Sequence, residues 1–382
     1  MGNFYEFFAG GGMARAGLGN KWRCLFANDF DHKKGVTYRA NWGSNDLLTA
    51  DIRKITSDQL PGLADLAWAS FPCQDLSLAG GGAGLRGERS GTFWPFWDAM
   101  RSLIRESRAP KIIALENVCG TITSHKGKDF EAICGTFAQA GYQFGAFVVD
   151  AALFVPQSRP RLFIIGVRHD IQVPAELQSD LPQLPWHTRG LQNAVKALPE
   201  IIKKTWLWWR LPIRTLRNLN IADIIEDEPQ GVAWFTDDET QQLIAKMSKI
   251  NVAKLEVAKK AQGRIVGCIY KRTRLDEKGT KVQRAEARFD DVAGCLRTPA
   301  GGSSRQLILI VEEGKVKSRL ISARETARLM GLPDSYRLPE NYNEAYHLTG
   351  DGVVVPVVRH IAQHIFEPLL AASRIAAKTE SA

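Results

Sequence analysis

The chain has 382 residues, 45% of them apolar and 24% charged, with a formal net charge of +9. That length can bury a large core and predicts two domains, and the ordinary composition excludes a disordered or collagen-like chain. No apolar run reaches the roughly 20 residues of a membrane span, and Met1-Gly2-Asn3-Phe4-Tyr5-Glu6 lacks the basic start and apolar core of a secretion signal. The six cysteines show no paired CxxC spacing, which argues against a zinc site or a disulfide framework and predicts a reducing, cytoplasmic setting.

The charge is concentrated. Between Lys249 and Arg305 there are fourteen Lys/Arg against six Asp/Glu, a net +8. A local basic excess of this kind is the electrostatic footprint of a phosphate-backbone partner.

In chain order, Phe4–Phe8 predicts a strand, Met13–Leu18 a helix start and Cys24–Ala27 a second strand ending at Asn28-Asp29. Leu47–Ala50 predicts a third strand, and Ala64–Ala69 and Ile112–Leu115 strands buried on both faces. Phe93–Arg105 and Phe130–Ala140 have helical apolar spacing, and Phe144–Val149 and Arg161–Val167 are strands again. Strands alternating with helices imply an α/β fold with a parallel sheet covered on both faces, whose ligands bind at the carboxyl ends of the strands. After His169 the pattern breaks, and prolines 174, 182 and 185 predict a linker. Trp206-Leu207-Trp208-Trp209 follows, then one helix from Thr236 to Lys260, a hairpin around Lys278-Gly279, a loop over Thr298–Arg305 and a last helix from Pro356 to Ala377.

The residues that carry chemistry fall at the predicted strand ends. Gly10-Gly11-Gly12 follows the first strand and precedes a helix, so a nucleotide-type cofactor can approach the backbone closely. Asp29 ends the second strand, where a carboxylate can accept hydrogen bonds from a ribose; Asp51 ends the third, where a helix-capping aspartate is the commoner reading. Cys73 stands behind Pro72 and before Gln74-Asp75, the placement of a nucleophile on a rigid edge, and needs nearby positive charge to become a thiolate. Arg159 and Arg161, at alternate positions around Pro160, can point to one face and supply that charge. Glu116 ends the fifth strand, beside the thiol if the two strands are neighbours. The glycine-rich stretch from Gly80 to Gly91 carries Arg86 and Arg89 and predicts a lid over a bound substrate. Thiol, carboxylate and glycine loop in this order suggest methyl transfer to carbon 5 of cytosine.

Together these segments resemble the ordered motifs of the DNA cytosine-5 methyltransferases of bacterial and phage restriction-modification type, over most of the chain. Phe8-Ala9-Gly10-Gly11-Gly12, with Glu6 before it, is similar to the family's cofactor loop. Asn28-Asp29 and Asp51-Ile52 match its ribose and adenine positions, and Ser70-Phe71-Pro72-Cys73-Gln74 its nucleophile motif. Glu116-Asn117-Val118 and Gln157-Ser158-Arg159-Pro160-Arg161 match two further catalytic motifs, and Arg324–Pro333 the helix that supports the recognition domain. Where the family usually has Gly-Asn, this chain has Gly350-Asp351-Gly352-Val353; the aspartate can accept a hydrogen bond from the cofactor's ammonium but cannot donate one.

The resemblance implies a Rossmann-like sheet that binds S-adenosylmethionine, leaves S-adenosylhomocysteine and needs no metal. Its cofactor residues would be Glu6, Phe8, Ala9, Gly10, Gly12, Asp29, Asp51, Ile52, Pro72, Asp351 and Val353. The chain would flip cytosine from double-stranded DNA, add Cys73 to carbon 6 and use Glu116 at nitrogen 3, with Arg159 and Arg161 beside them. The catalytic domain is expected over 1–170 and 340–382, with a recognition domain and hinge over 171–339. DNA contacts are expected from Gln74, Ser77, Arg86 and Arg89, from Arg264, Lys271, Arg272, Arg274 and Arg288, and from Ser303, Ser304 and Arg305. The protein is expected to act as a monomer, away from membranes, beside a restriction endonuclease of the same site. Two alternatives stand: a transfer-RNA cytosine-5 methyltransferase, and a catalytically silent DNA-binding relative.

Overall fold

A computed structural model describes residues 1–72, 84–87, 90–213, 217–275, 279–298 and 305–380, with backbone alone at 86, 90 and 376–380. The chain folds as two compact units. The first comprises Met1–Asp150, Pro160–Ile213 and Val355–Ala382; the second comprises Ala151–Arg159 and Arg214–Val354.

The first unit is built on a seven-stranded sheet. Its strands are β1 (Gly2–Phe7), β2 (Trp22–Asp29), β3 (Leu47–Thr49), β4 (Leu66–Ala69), β5 (Ile112–Val118), β6 (Tyr142–Asp150) and β7 (Pro160–Arg168). The order is β3-β2-β1-β4-β5-β7-β6. The first five are parallel, and β7 runs antiparallel between β5 and β6. β4 and the apolar start of β5 are continuous apolar runs because both faces are buried. On one face Tyr5 and Phe7 pack with Phe93, Phe96 and Trp97 of the helix Phe93–Arg105 and with Phe137 of the helix Lys128–Gln139. On the other, Trp68 lies against Phe163 and against Phe366 of the C-terminal helical stretch. Gly17, in the helix Met13–Leu18, allows that stretch close: a Cβ there would lie 2.4 Å from Val358 Cβ.

The stretch read as a linker after His169 is instead part of the first unit. Its tryptophans decide this. Trp209 donates from its indole to Ile165 O at 3.1 Å, Trp186 donates to Leu211 O at 2.8 Å, and Val148 N donates to Trp186 O at 2.8 Å. The short strands β8 (Gln178–Ser179) and β9 (Trp208–Trp209) pair with one another. Burying these two rings outweighs the turn signal of the prolines, so the first unit runs to Ile213 rather than 170. At the other end, the helix Tyr342–Asp351 groups with the second unit, where Thr349 bonds Thr326 at 3.0 Å, so the boundary falls after Val354 rather than at 340.

The second unit carries an antiparallel sheet in the order β11-β10-β12-β13, formed by β10 (Ile265–Leu275), β11 (Lys281–Arg288), β12 (Leu307–Glu312) and β13 (Lys315–Leu320). The single helix expected over Thr236–Lys260 is two, Asp237–Ala245 and Lys249–Lys260. Ser248 caps the second and Thr236 forms a capping box with Glu239 on the first. Both lie on the face that holds Ile269, Ala285, Leu307 and Leu309. β12 pairs with β10 only over Ile265–Ile269, so Tyr270–Leu275 pairs with β11 alone.

Candidate active site

The glycine loop leaves β1 through three residues of left-handed backbone, Phe8 (φ 58°), Gly10 (φ 54°) and Gly12 (φ 77°). Ala9 N donates to Asn28 O at 2.9 Å and Gly10 N donates to Asp29 Oδ2 at 2.8 Å. From the helix His32–Trp42, the Trp42 indole donates to Gly11 O at 3.0 Å. A Cβ at Gly12 would fall 2.3 Å from the Trp42 indole nitrogen, so only glycine fits. At Gly10 a Cβ would meet no described atom within 4 Å. The loop is thus held from one side, with room on the other for a ligand to approach the backbone.

Three carboxylates expected at the cofactor differ in what they already do. Glu6 is 1% exposed and accepts from Arg15 N at 3.2 Å, while its Oε2 has no partner among the described residues. Burial pushes its carboxyl up to about 8, so it holds a proton at neutral pH. Asp29 accepts from Gly10 N and, at 2.9 Å, from Asp31 N, and burial raises its carboxyl too. It therefore shapes the loop, with lone pairs left for a ligand. Asp51 caps the short turn Ile52–Lys54 by accepting from Arg53 N at 2.9 Å, and pairs with the Arg53 guanidinium at 3.0 Å. Ile52 beside it is buried.

At the end of β5, Glu116 and Val118 share a face, and Arg161 of β7 stands opposite Val118. Arg161 Nε therefore lies diagonally across from Glu116, 3.2 Å from its Oε1, with both side chains largely buried. Asn117, on the other face, donates to Phe71 O at 3.1 Å, and its Oδ1 accepts from Val118 N. Since β4 and β5 are neighbours with Ala69 opposite Leu115, this bond fixes the chain leaving β4 beside the end of β5. Pro72 is the next residue; Cys73, Gln74, Ser77 and Arg89 lie outside the described residues, as does the side chain of Arg86. The thiol of Cys119, just past β5, is pushed up to about 11 by burial, so it is not a ready nucleophile.

Arg159 does not share Arg161's face. It precedes the first residue of β7, so strand alternation does not apply to it. Its guanidinium is 3% exposed inside the second unit and donates to Leu296 O (2.9 Å), Gly350 O (2.7 Å) and Gly352 O (2.8 Å). Asp351, in the same unit, accepts from the Thr298 hydroxyl, and Val353 is buried. Of the DNA candidates, Arg264 pairs with Asp227 at 2.5 Å, Arg274 with Glu286 at 2.5 Å, Arg272 with Glu286 at 3.3 Å and Arg288 with Asp290 at 2.6 Å. Lys271 is partly buried on β10, and Arg305 bonds Asn343 and lies over the Tyr342 ring. Ser303 and Ser304 lie outside the described residues. Among the described residues no cluster of metal-ligating side chains occurs, and no helix is long and apolar enough to cross a membrane.

Sequence reasoning missed Arg15, Tyr38 and Trp42. Arg15 Nη1 donates to Tyr38 OH (2.9 Å) and Asp46 Oδ2 (3.0 Å), and its guanidinium lies 5.3 Å from the Trp42 ring centroid. The available signal was Tyr38 and Trp42 four residues apart on one helix face, following a glycine loop that needed a support.

A parallel-dominated sheet with a glycine loop at its first strand end and a carboxylate–arginine pair at its fifth defines a Rossmann-like methyltransferase fold. The chain belongs to the C-5 cytosine-specific DNA methylase family, whose sequence profile matches residues 2–367. Its enzyme class is therefore that of the DNA cytosine methyltransferases. It is 27% identical over 371 residues to the type II methyltransferase M.BsuFI of Bacillus subtilis, covering 97% of this chain and 73% of that one. It is also 27% identical over 364 residues to the type II methyltransferase M.HhaI of Haemophilus parahaemolyticus, covering 95% and 93%. Among solved structures, the methyltransferase EhMeth of Entamoeba histolytica matches with a TM-score of 0.65 at 13% identity, over 97% of this chain and 99% of that one. The Dnmt2 methyltransferase of S. pombe matches with 0.60 at 16%, over the same shares. These two likenesses concern the fold.

Proposed function

We propose that the protein is a sequence-specific methyltransferase that modifies carbon 5 of cytosine in double-stranded DNA. The observation that carries this reading is the Glu116–Arg161 pair at the end of β5, with Asn117 tethering the chain that leads to Pro72-Cys73. Flipped out of the duplex, cytosine is electron-poor at carbon 6. The Cys73 thiolate adds there, and the ring's electrons shift toward carbon 5 and nitrogen 3. Glu116 holds a proton at nitrogen 3, which stabilises the charge that develops, and Arg161 fixes the carboxyl group in place. Carbon 5 thereby becomes nucleophilic and takes up the methyl group, breaking the methyl–sulfur bond of its donor; loss of the carbon 5 proton to water then expels the Cys73 sulfur as thiolate and restores the ring. S-adenosylmethionine, when bound, supplies the methyl group on a positively charged sulfur. The open approach at Gly10 suits it, with the Phe8–Gly12 backbone and Asp29 as the residues that would hold it and Asp51-Ile52 at the adenine end. On the same reading the enzyme works as a cytoplasmic monomer, beside a restriction endonuclease of the same site.

The test compares tritiated methyl incorporation into duplex DNA and into transfer RNA by the wild type and by Cys73→Ala. The reading expects incorporation into duplex DNA, none into transfer RNA, and none by the variant. Turnover retained by Cys73→Ala sinks the nucleophile assignment, and transfer-RNA labelling alone sinks the DNA assignment. Bisulfite sequencing of DNA from cells expressing the protein then reads out the modified sequence.

A further inference from the structure

Beyond Ile269, β10 leaves the four-stranded sheet of the second unit and continues with β11 as a two-stranded ribbon, Tyr270–Leu275 against Lys281–Glu286. Among the described residues, the two strands of the ribbon carry Lys271, Arg272, Arg274, Lys281 and Arg284 against the single carboxylate of Glu286. The register sets Arg272 directly opposite Arg284. Both are exposed, on the face turned away from the buried Ala285 and Ala287. Like charges directly opposite in an antiparallel pair are unfavourable unless something lies between them.

Glu286 does not fill that role. Its Oε1 is taken by Arg274, at 2.9 Å from Nε and 2.5 Å from Nη2, and its Oε2 lies 3.3 Å from Nε of Arg272. Arg284 has no ion pair among the described residues. Arg272 is further steadied over the Tyr270 ring, 5.6 Å from its centroid. Two exposed arginines at directly opposite positions on one face of the ribbon suit one anion with several oxygens, and a phosphodiester is such an anion. A two-stranded ribbon is also an element that the major groove of B-form DNA admits.

We propose that this ribbon grips the DNA backbone, with Arg272 and Arg284 holding one phosphate between them. The inference rests on the duplex-DNA reading above. It assigns the pair to positioning the duplex, not to reading its sequence.

The test measures binding of a fluorescent mixed-sequence duplex across a salt series, for the full-length wild type, Arg272→Gln/Arg284→Gln and Lys315→Gln/Lys317→Gln. The last carries the same charge change on β13. The arginine variant should lower the slope of log affinity against log salt by about 0.9, one phosphate contact. It should weaken binding to every sequence alike and leave the methylated sequence, read by bisulfite sequencing, unchanged. The β13 variant should keep the wild-type slope. An unchanged slope in the arginine variant, an equal loss in the β13 variant, or a new methylated sequence overturns the proposal alone. A wild type that binds no duplex overturns the duplex-DNA reading along with it.

Discussion

Glu6 in the first unit and Glu325 in the second are both buried carboxylates, 1% and 0% exposed. Glu325 accepts four hydrogen bonds: two from Arg319 (2.6 and 2.8 Å), one from Ser322 N (2.7 Å) and one from Glu226 N (2.7 Å). Trp234 covers the Arg319 guanidinium at 4.9 Å. Glu6 accepts only from backbone N–H groups and leaves an oxygen over, and Glu116 meets a single cation among the described residues. Satisfied carboxylates hold a fold together, whereas carboxylates with capacity to spare at strand ends are where a ligand or a proton can be taken up. Glu325 in the second unit serves structure, whereas Glu6 and Glu116 in the first keep capacity to spare.

Replacing a carboxylate of each kind should therefore separate turnover from stability. On the proposed mechanism, Glu116→Gln loses the group that handles the proton at nitrogen 3 and should lower methyl transfer by about 10²–10⁴-fold, while calorimetric binding of S-adenosylhomocysteine stays as in the wild type. Glu325→Gln leaves Arg319 buried without a counter-charge and should cost about 3–5 kcal/mol of stability in urea denaturation. Adding Arg319→Met to it should recover part of that loss, and no recovery would mean that the two backbone bonds, not the ion pair, dominate. Equal losses of turnover and stability in both single variants would erase the distinction.

The comparison sharpens with pH. The native state holds the Glu6 proton up to about 8, against an ordinary 4.5. Between those values the native state binds more protons than the unfolded state, so Glu6's contribution is full below about 4.5 and lost as pH rises through 8. The slope approaches 1.4 kcal/mol per pH unit. Glu6→Gln should remove that part of the pH dependence, seen as a flatter stability profile across the window; a profile parallel to the wild type's would mean that Glu6 is ionised in the native state.

The strand ends were legible because buried parallel strands are continuous apolar runs: the sequence alone places Asp29 at the end of β2 and Glu116 near the end of β5. Three things were not legible. Prolines 174, 182 and 185 mark turns in a linker and in a packed flap alike, and only the burial of Trp186 and Trp209 tells them apart. Arg159 and Arg161 look equivalent in sequence, but strand alternation begins at Pro160 and excludes the first of them. The pairing of Arg274, Arg264 and Arg288 with carboxylates depends on register and reach, which a count of net charge ignores. The basic stretch is thus less available to a phosphate than its +8 suggests.

The smallest expected effect bears on how the first unit keeps its glycine loop ready. Trp42→Phe preserves a ring beneath Gly12 but deletes the one hydrogen bond from the indole to Gly11 O. A net loss of about 0.5–1.5 kcal/mol follows for a single neutral hydrogen bond, or roughly a 2- to 10-fold change in an equilibrium constant. If the bond mainly sets the loop for its ligand, the change should appear in KM for S-adenosylmethionine, with kcat and the melting temperature nearly unchanged. If it mainly supports the fold, the melting temperature should fall and KM should stay put. Glycine loops of this kind need left-handed backbone that the rest of the chain must hold, so the first outcome is the one that the geometry around Gly12 favours.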